Sequence, residues 1–146
     1  ELELEWKVTP GANSGIIYHA SEEFDHSWKT GTEYQVLDDA KHPDGRDPKR
    51  SAGSLYALIA PKNKKLNAVG EWNKSRIVFH KNHVEHYLNG KKVVEYHWGS
   101  DELKNMIAAS KFSEMPKFAT LSTGHICLQH HGGDVSFRNI RVRKLD

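Results

Sequence analysis

The 146-residue sequence has a single cysteine, Cys127, so no disulfide can form within the chain and no paired-cysteine metal or redox motif is present. Its neighbours Ile126 and Leu128 make it a structural thiol in a strand. No apolar run approaches the ~20 residues that a membrane span needs. There is no glycine-rich phosphate loop, no nucleophile elbow and no helical histidine pair of the zinc-protease type. Neither sign of charge dominates: the formal net charge is +2. The densest basic cluster, Lys62-Asn63-Lys64-Lys65, has no aromatic residue interleaved with it, which indicates a solvated loop and no nucleic-acid partner. No secretory leader is visible, and the chain opens on Glu1-Leu2-Glu3-Leu4-Glu5-Trp6-Lys7-Val8, already in strand pattern. The expectation is one domain over 1–146 that lacks N-terminal strands of its natural parent.

What is present points to sheets. Hydrophobic residues make up 37 % and charged residues 27 %, a balance that suits a single core whose strands each give one face to water. In the opening segment Leu2, Leu4, Trp6 and Val8 share a face while Glu1, Glu3, Glu5 and Lys7 share the other. Turn chemistry at 9–15 precedes a short apolar strand, Ile16-Ile17-Tyr18. Residues 39–53 read as a long loop, and Ser54-Leu55-Tyr56-Ala57-Leu58-Ile59 as a strand stopped by Pro61.

The segment "RIVFHKNHVEHYLNG" reads as strand, Lys81-Asn82 turn, strand. A two-residue turn sets His80 against His83, Phe79 against Val84, Val78 against Glu85 and Ile77 against His86. His83 and His86 then point to opposite sides of the sheet and are poor partners for one ion. His86 falls among core residues and is expected to be a hydrogen-bonded core histidine. The window Ser100–Ser110 is the one good helix, with Ser100 as N-cap, acids in the first turn and an apolar stripe of Leu103, Met106 and Ile107. Short alternating strands with one brief helix predict an all-β antiparallel sandwich.

Within "TGTEYQVLDDAKHPDG", Glu33 and Gln35 lie on one face of a strand and Tyr34 and Val36 on the other. Asp38, Asp39 and His42 follow at its end. Other strand-borne polar residues are Glu85 and Tyr87, Gln129 and His131, and Arg138. If their strands neighbour one another, these residues form one polar surface. Amides and carboxylates suit sugar hydroxyl pairs, Tyr87 and Trp28 suit stacking on a sugar ring, and paired carboxylates can serve as acid and base. The plainer reading is that every half-buried sheet has a polar outer face, kept wet and nothing more.

The words themselves narrow this. "SGIIYHA", "TGTEYQVLDDAKHPDG", "AGSLYALIAP", "GEWNKSRIVFHKNHVEHYLNGKKVVEY" and "ICLQHHGGDVSFRNIRV", in this order from Leu4 to Leu145, resemble the 3-keto-disaccharide hydrolase domain family. The resemblance implies a concanavalin A-like jelly roll in a bacterial, exported (periplasmic or extracellular) glycosyl hydrolase of sugar catabolism. A ketone at C3 acidifies the C2 proton, so a base can remove it; the anomeric substituent then leaves by elimination and water adds afterwards. Carried onto this chain, Glu33 is the base or acid and His131 its partner. Gln35, Gln129, Tyr87 and Arg138 bind hydroxyls or the keto oxygen, with Glu85 and Trp28 also on the substrate. Asp38, Asp39 and His42 edge the cleft, Asp38 as a further substrate-binding residue and Asp39 and His42 as the candidate ligands of a divalent ion; no cofactor is otherwise called for. Relatives carry an acid where this chain has His130, which alternation turns away from Gln129 and His131. The alternative function is a non-catalytic, lectin-like carbohydrate-binding module on the same fold, or an interaction domain attached to a larger enzyme.

Overall fold

The computed structural model describes residues 1–146. Eight antiparallel strands form two sheets: β1 (Leu2–Val8), β2 (Asn13–Ala20), β3 (Thr32–Leu37), β4 (Asn73–His80), β5 (His83–Leu88), β6 (Lys91–His97), β7 (His125–His130) and β8 (Val135–Val142). The larger sheet runs β6-β5-β4-β1-β8 and the smaller β3-β2-β7. Their facing sides enclose one cluster of 23 buried apolar residues, including Leu4, Trp6, Ile16, Tyr34, Val84 and Leu88. The predicted β-sandwich is the observed architecture.

Alternation places the core. Residues of β1 are buried and half-buried in strict turn, with Leu2, Leu4, Trp6 and Val8 inward. Trp6 is fully buried and its indole N–H donates to Ser75 Oγ at 2.8 Å, so burial leaves no polar atom stranded. The β4–β5 hairpin has the register read from its two-residue turn: Ile77 opposite His86, Val78 opposite Glu85, Phe79 opposite Val84 and His80 opposite His83. Lys81 takes the positive φ of 54° that such a turn requires. His86 is wholly buried; its Nε2 is 2.8 Å from Tyr18 Oη, which in turn is 2.7 Å from Tyr96 Oη. Burial holds its imidazole neutral, with the pKa lowered to about 4.

The helix α1 (Asp101–Ala108) begins as expected, with Ser100 Oγ accepting the Leu103 N–H at 3.1 Å. Two sequence readings need correction. Strand β2 starts at Asn13, three residues earlier than the apolar run, because Asn13 and Ser14 already pair with Leu37 and Val36. Residues 54–59 are not a strand. Leu55 and Ile59 exchange hydrogen bonds with each other at 3.0 and 2.9 Å around Ala57, whose φ is 60°. The stretch before that turn docks on the free edge of β3: Gly53 N–H donates to Gln35 O, Gln35 N–H to Ser54 O and Tyr56 N–H to Glu33 O, at 2.9 to 3.2 Å. A strand-like composition serves here to cover an edge for a few residues and then close a tight loop.

Candidate active site

The smaller sheet sets the polar residues of β3 and β7 on either side of the largely apolar β2. Gly15 of β2 stands directly between Gln35 of β3 and Gln129 of β7, and Ile17 stands between Glu33 and Cys127. Directly opposed residues share a face. Ile16, Tyr18, Tyr34 and Val36 take the core side, so Glu33, Gln35 and Gln129 project from the opposite one. Together with Asn13 and His131, and with Trp28, Tyr56, Lys111 and Phe112 from flanking loops, they line a cleft of about 130 Å³.

Glu33 is the chemical centre of this cleft. It is 8 % exposed. A Cβ built on Gly15 would lie 2.0 Å from Glu33 Oε1 and 2.6 Å from its Cδ, so the carboxyl group rests on the bare Cα of Gly15. Burial pushes its pKa up to about 8; Lys111 pulls the other way and Asp44 adds slightly to the rise. No hydrogen bond is made to the carboxyl group, and none is among the causes of its shift. A carboxyl group that is buried, unpartnered and titrating near neutrality is costly to the fold, and such groups concentrate at functional sites.

The surrounding groups are firmly placed. Gln35 is buried, donating from Nε2 to Arg50 O at 3.1 Å and accepting the Val36 N–H at 3.2 Å. Tyr56 Oη donates to Asp44 Oδ2 at 3.2 Å, and burial together with Asp44 raises its pKa to about 12. Arg50 lies 3.6 Å from Asp44. The Lys111 ammonium stands over the Tyr56 ring at 4.4 Å and the Phe112 ring at 5.3 Å, its pKa lowered first by desolvation and then by Arg50. Trp28 stacks on His26, with ring centroids 5.1 Å apart.

Of the residues named from sequence, Glu33, Gln35, Gln129, His131 and Trp28 meet in this cleft. His130 lies outside it, as alternation requires. Glu85, Tyr87 and Arg138 do not join them, because β5 and β8 belong to the other sheet. There Tyr87 Oη donates to Glu85 Oε2 at 3.0 Å and its ring stacks under Arg76 at 3.7 Å. Glu85 pairs with Lys92 at 3.1 Å and Arg138 with Glu5 at 2.5 Å. Alternation showed that these side chains leave the core; it did not show which sheet they leave from.

The acids after β3 serve the loop. Asp38 is 3 % exposed and accepts the Gly11 N–H at 2.7 Å and the Ala40 N–H at 3.0 Å. Asp39 takes the Lys64 ammonium at 2.5 Å and the Ala52 N–H at 2.8 Å. His42 Nδ1 accepts the Asp44 N–H at 3.1 Å, capping a 3₁₀ turn, while its Nε2 lies 3.5 Å from Nδ2 of the cleft-lining Asn13. Both candidate metal ligands are thus engaged in shaping the loop. A different group, His83, Glu85 and Glu95, brings its ligand atoms within 4.8 Å of one another on the outer face of the larger sheet. Lys92 Nζ already bridges its two glutamates, at 3.1 and 2.6 Å. A larger hollow of about 550 Å³ beside α1, lined by residues such as Trp98, Leu103, Phe112 and Met115, contains no carboxylate or imidazole and offers no acid–base pair.

Asn13, Tyr56, Lys111 and Phe112 were not foreseen. Tyr56 was hidden in an apparent strand, and Lys111 and Phe112 lie in a turn after α1 whose sequence has no periodicity to read.

The fold is that of β-sandwich proteins assigned to the glycosyl hydrolases. One such protein of known structure, from Parabacteroides distasonis, is 32 % identical and superposes with a TM-score of 0.92 over 99 % of this chain and 71 % of its own. A second from the same organism is 31 % identical, with a TM-score of 0.79 over 99 % of this chain and 77 % of its own. Residues 1–143 match the 3-keto-alpha-glucoside-1,2-lyase-like domain, and the chain belongs to that family. It is also 40 % identical, over a 169-residue alignment, to the 3-keto-disaccharide hydrolase of Bacteroides thetaiotaomicron, covering 100 % of this chain and 58 % of that protein.

Proposed function

We propose that this chain hydrolyses 3-keto-glycosides, including disaccharides, by elimination followed by hydration. Glu33 ionised takes the proton from C2, and the C–H electrons form the enolate between C2 and C3. When the enolate collapses, the C3 ketone returns, a C1=C2 double bond forms and the C1–O bond breaks. The departing oxygen takes a proton from the His131 imidazolium, which is left as neutral imidazole and takes the proton back from the water that adds afterwards. Water then adds across the double bond, hydroxyl to C1 and proton to C2, and releases the free 3-keto sugar. Gln129 and Asn13 offer amides to ring hydroxyls, Gln35, tied to Arg50 O and the Val36 N–H, braces the wall behind them, and Trp28 offers a flat face to the ring.

The observation that carries this reading is the Glu33 carboxyl group, buried and without a hydrogen bond on the bare backbone of Gly15, at the floor of a cleft. A polar surface that only binds sugar has no use for a carboxyl group whose ionised form is disfavoured; a base gains strength from it. Kinship with a 3-keto-disaccharide hydrolase supports the substrate class.

The test is incubation with a panel of 3-keto-glucosides beside their unoxidised parents, in D₂O, with products followed by mass spectrometry. The expected result is turnover of the keto sugars alone, deuterium at C2 of the product, and loss of both in Glu33→Gln. Rates should rise with pH toward about 8 as Glu33 ionises, and fall again where His131 gives up the proton it must donate. Binding of either sugar without turnover would make the domain a lectin-like module.

A further inference from the structure

We propose that Lys111 is the group that selects a ketone over an alcohol at C3, by holding its ammonium against the oxygen on which the enolate charge appears. This rests on the elimination reading given above. Glu33 and Lys111 are the carboxylate and the ammonium that line the cleft. When Glu33 takes the C2 proton it becomes neutral, and its negative charge moves onto the C3 oxygen. A cation already within electrostatic reach of Glu33 is then also within reach of that oxygen, and it is placed before the reaction begins.

The way Lys111 is held fits this role. It forms none of the salt bridges of the fold. Its ammonium is steadied by the faces of Tyr56 and Phe112, at 4.4 and 5.3 Å. Aromatic faces attract the cation without saturating its N–H donors. The neighbouring cation, Arg50, is committed to Asp44 and Asp47, each at 3.6 Å. The turn that carries Lys111 is anchored as well: Phe112 is 3 % exposed and stacks on Phe118 at 3.9 Å, and its N–H donates to Ser110 Oγ at 3.1 Å. An alcohol at C3 develops no charge there, so the ammonium would gain nothing from it in the transition state.

Lys111→Met and Lys111→Arg separate this from other roles, because Lys111 is exposed and neither change disturbs the core. The substrates are p-nitrophenyl 3-keto-glucoside and methyl 3-keto-glucoside, a good and a poor leaving group. We expect Lys111→Met to lower kcat by about 10²- to 10³-fold on both, the range found when a charge-stabilising donor is removed. KM should change little, C2–H exchange in D₂O should slow in parallel, and Lys111→Arg should recover part of the loss. Three results would overturn the assignment: a loss confined to the methyl glycoside, which would put Lys111 on the departing oxygen; a borohydride-trapped sugar on Lys111, which would make it a Schiff-base nucleophile; or unchanged kcat in Lys111→Met. A wild-type chain that leaves both keto sugars intact would bring down the elimination reading itself, and this role of Lys111 with it.

Discussion

The outer faces of the two sheets make opposite use of charge. On the larger sheet each acid has a cation: Glu1 with Arg76 and Arg143, Glu3 with Lys74, Glu5 with Arg138, and Glu85 and Glu95 with Lys92. On the smaller sheet Glu33 has no hydrogen-bond partner, and the nearby Lys111 rests on aromatic rings. Paired charges on an exposed face keep a sheet soluble and contribute little else. Unpaired ionisable groups in a cleft cost stability and remain available to a ligand. Pairing separates the two faces; polarity alone does not.

The largest effect that sharpens this contrast is a pair of isosteric changes. Glu33→Gln should lower turnover of a 3-keto-glucoside by about 10²-fold or more, the usual contribution of a positioned base. Glu85→Gln, made on the paired face, should leave kcat and KM as they were. Equal losses in both, measured side by side, would erase the distinction between the faces.

Next in size is Gly15→Ala. Its new methyl group would claim the space of Glu33 Oε1, 2.0 Å away, so the flexible carboxyl end must move while the strand stays paired. A displacement of about 1 Å at a reacting group can cost on the order of 10²-fold. Activity should therefore fall with little change in melting temperature. A variant that keeps full activity would show that the seat on Gly15 is incidental.

Stability against pH offers a finer test. Between the ordinary carboxyl pKa of 4.5 and about 8, the folded chain keeps a proton on Glu33 that the unfolded chain has released. Stability therefore falls as pH rises through that interval. His86 acts in the opposite sense between about 4 and 6.5, where the unfolded chain binds a proton that the buried imidazole refuses. The two oppose each other from 4.5 to 6.5, and Glu33 prevails from 6.5 to 8. Melting temperature should drop across that upper interval, and Glu33→Gln should flatten the drop. An identical drop in the variant would assign it to other groups.

Much of this arrangement was written in the strands. A two-residue turn fixed which residues of β4 and β5 oppose one another, and so sent His86 inward and His83 outward. Alternation likewise put Glu33 with Gln35 and Gln129 with His131. What could not be read was adjacency: β2 lies between β3 and β7, and β5 and β8 belong to the other sheet, so Glu85, Tyr87 and Arg138 were gathered with residues they never meet. Loop residues were harder still. Lys111 reaches the cleft because Phe112 is buried on Phe118, a contact between side chains six residues apart that no periodicity announces. The cost of burying Glu33 was also invisible, since an acid on a strand reads as solvent-facing until its neighbours are known.

The smallest expected effect comes from the paired face. Arg138 bridges Glu5 and lies over the Trp72 ring at 3.9 Å, and Asn139 donates to the same Glu5 oxygen at 3.0 Å. These contacts hold Glu5 below the usual carboxylate range, with the Arg138 hydrogen bond the largest cause. Arg138 and Asn139 are exposed and Glu5 and Trp72 half-buried, so salt and water reach these contacts and compete for the partners. Arg138→Ala should lower the melting temperature only slightly, by an amount that shrinks as salt is added, and should leave keto-sugar turnover unchanged. Arg138 was grouped with the cleft residues on polarity alone. A fall in kcat/KM in Arg138→Ala would mean that the outer face of the larger sheet also meets the substrate.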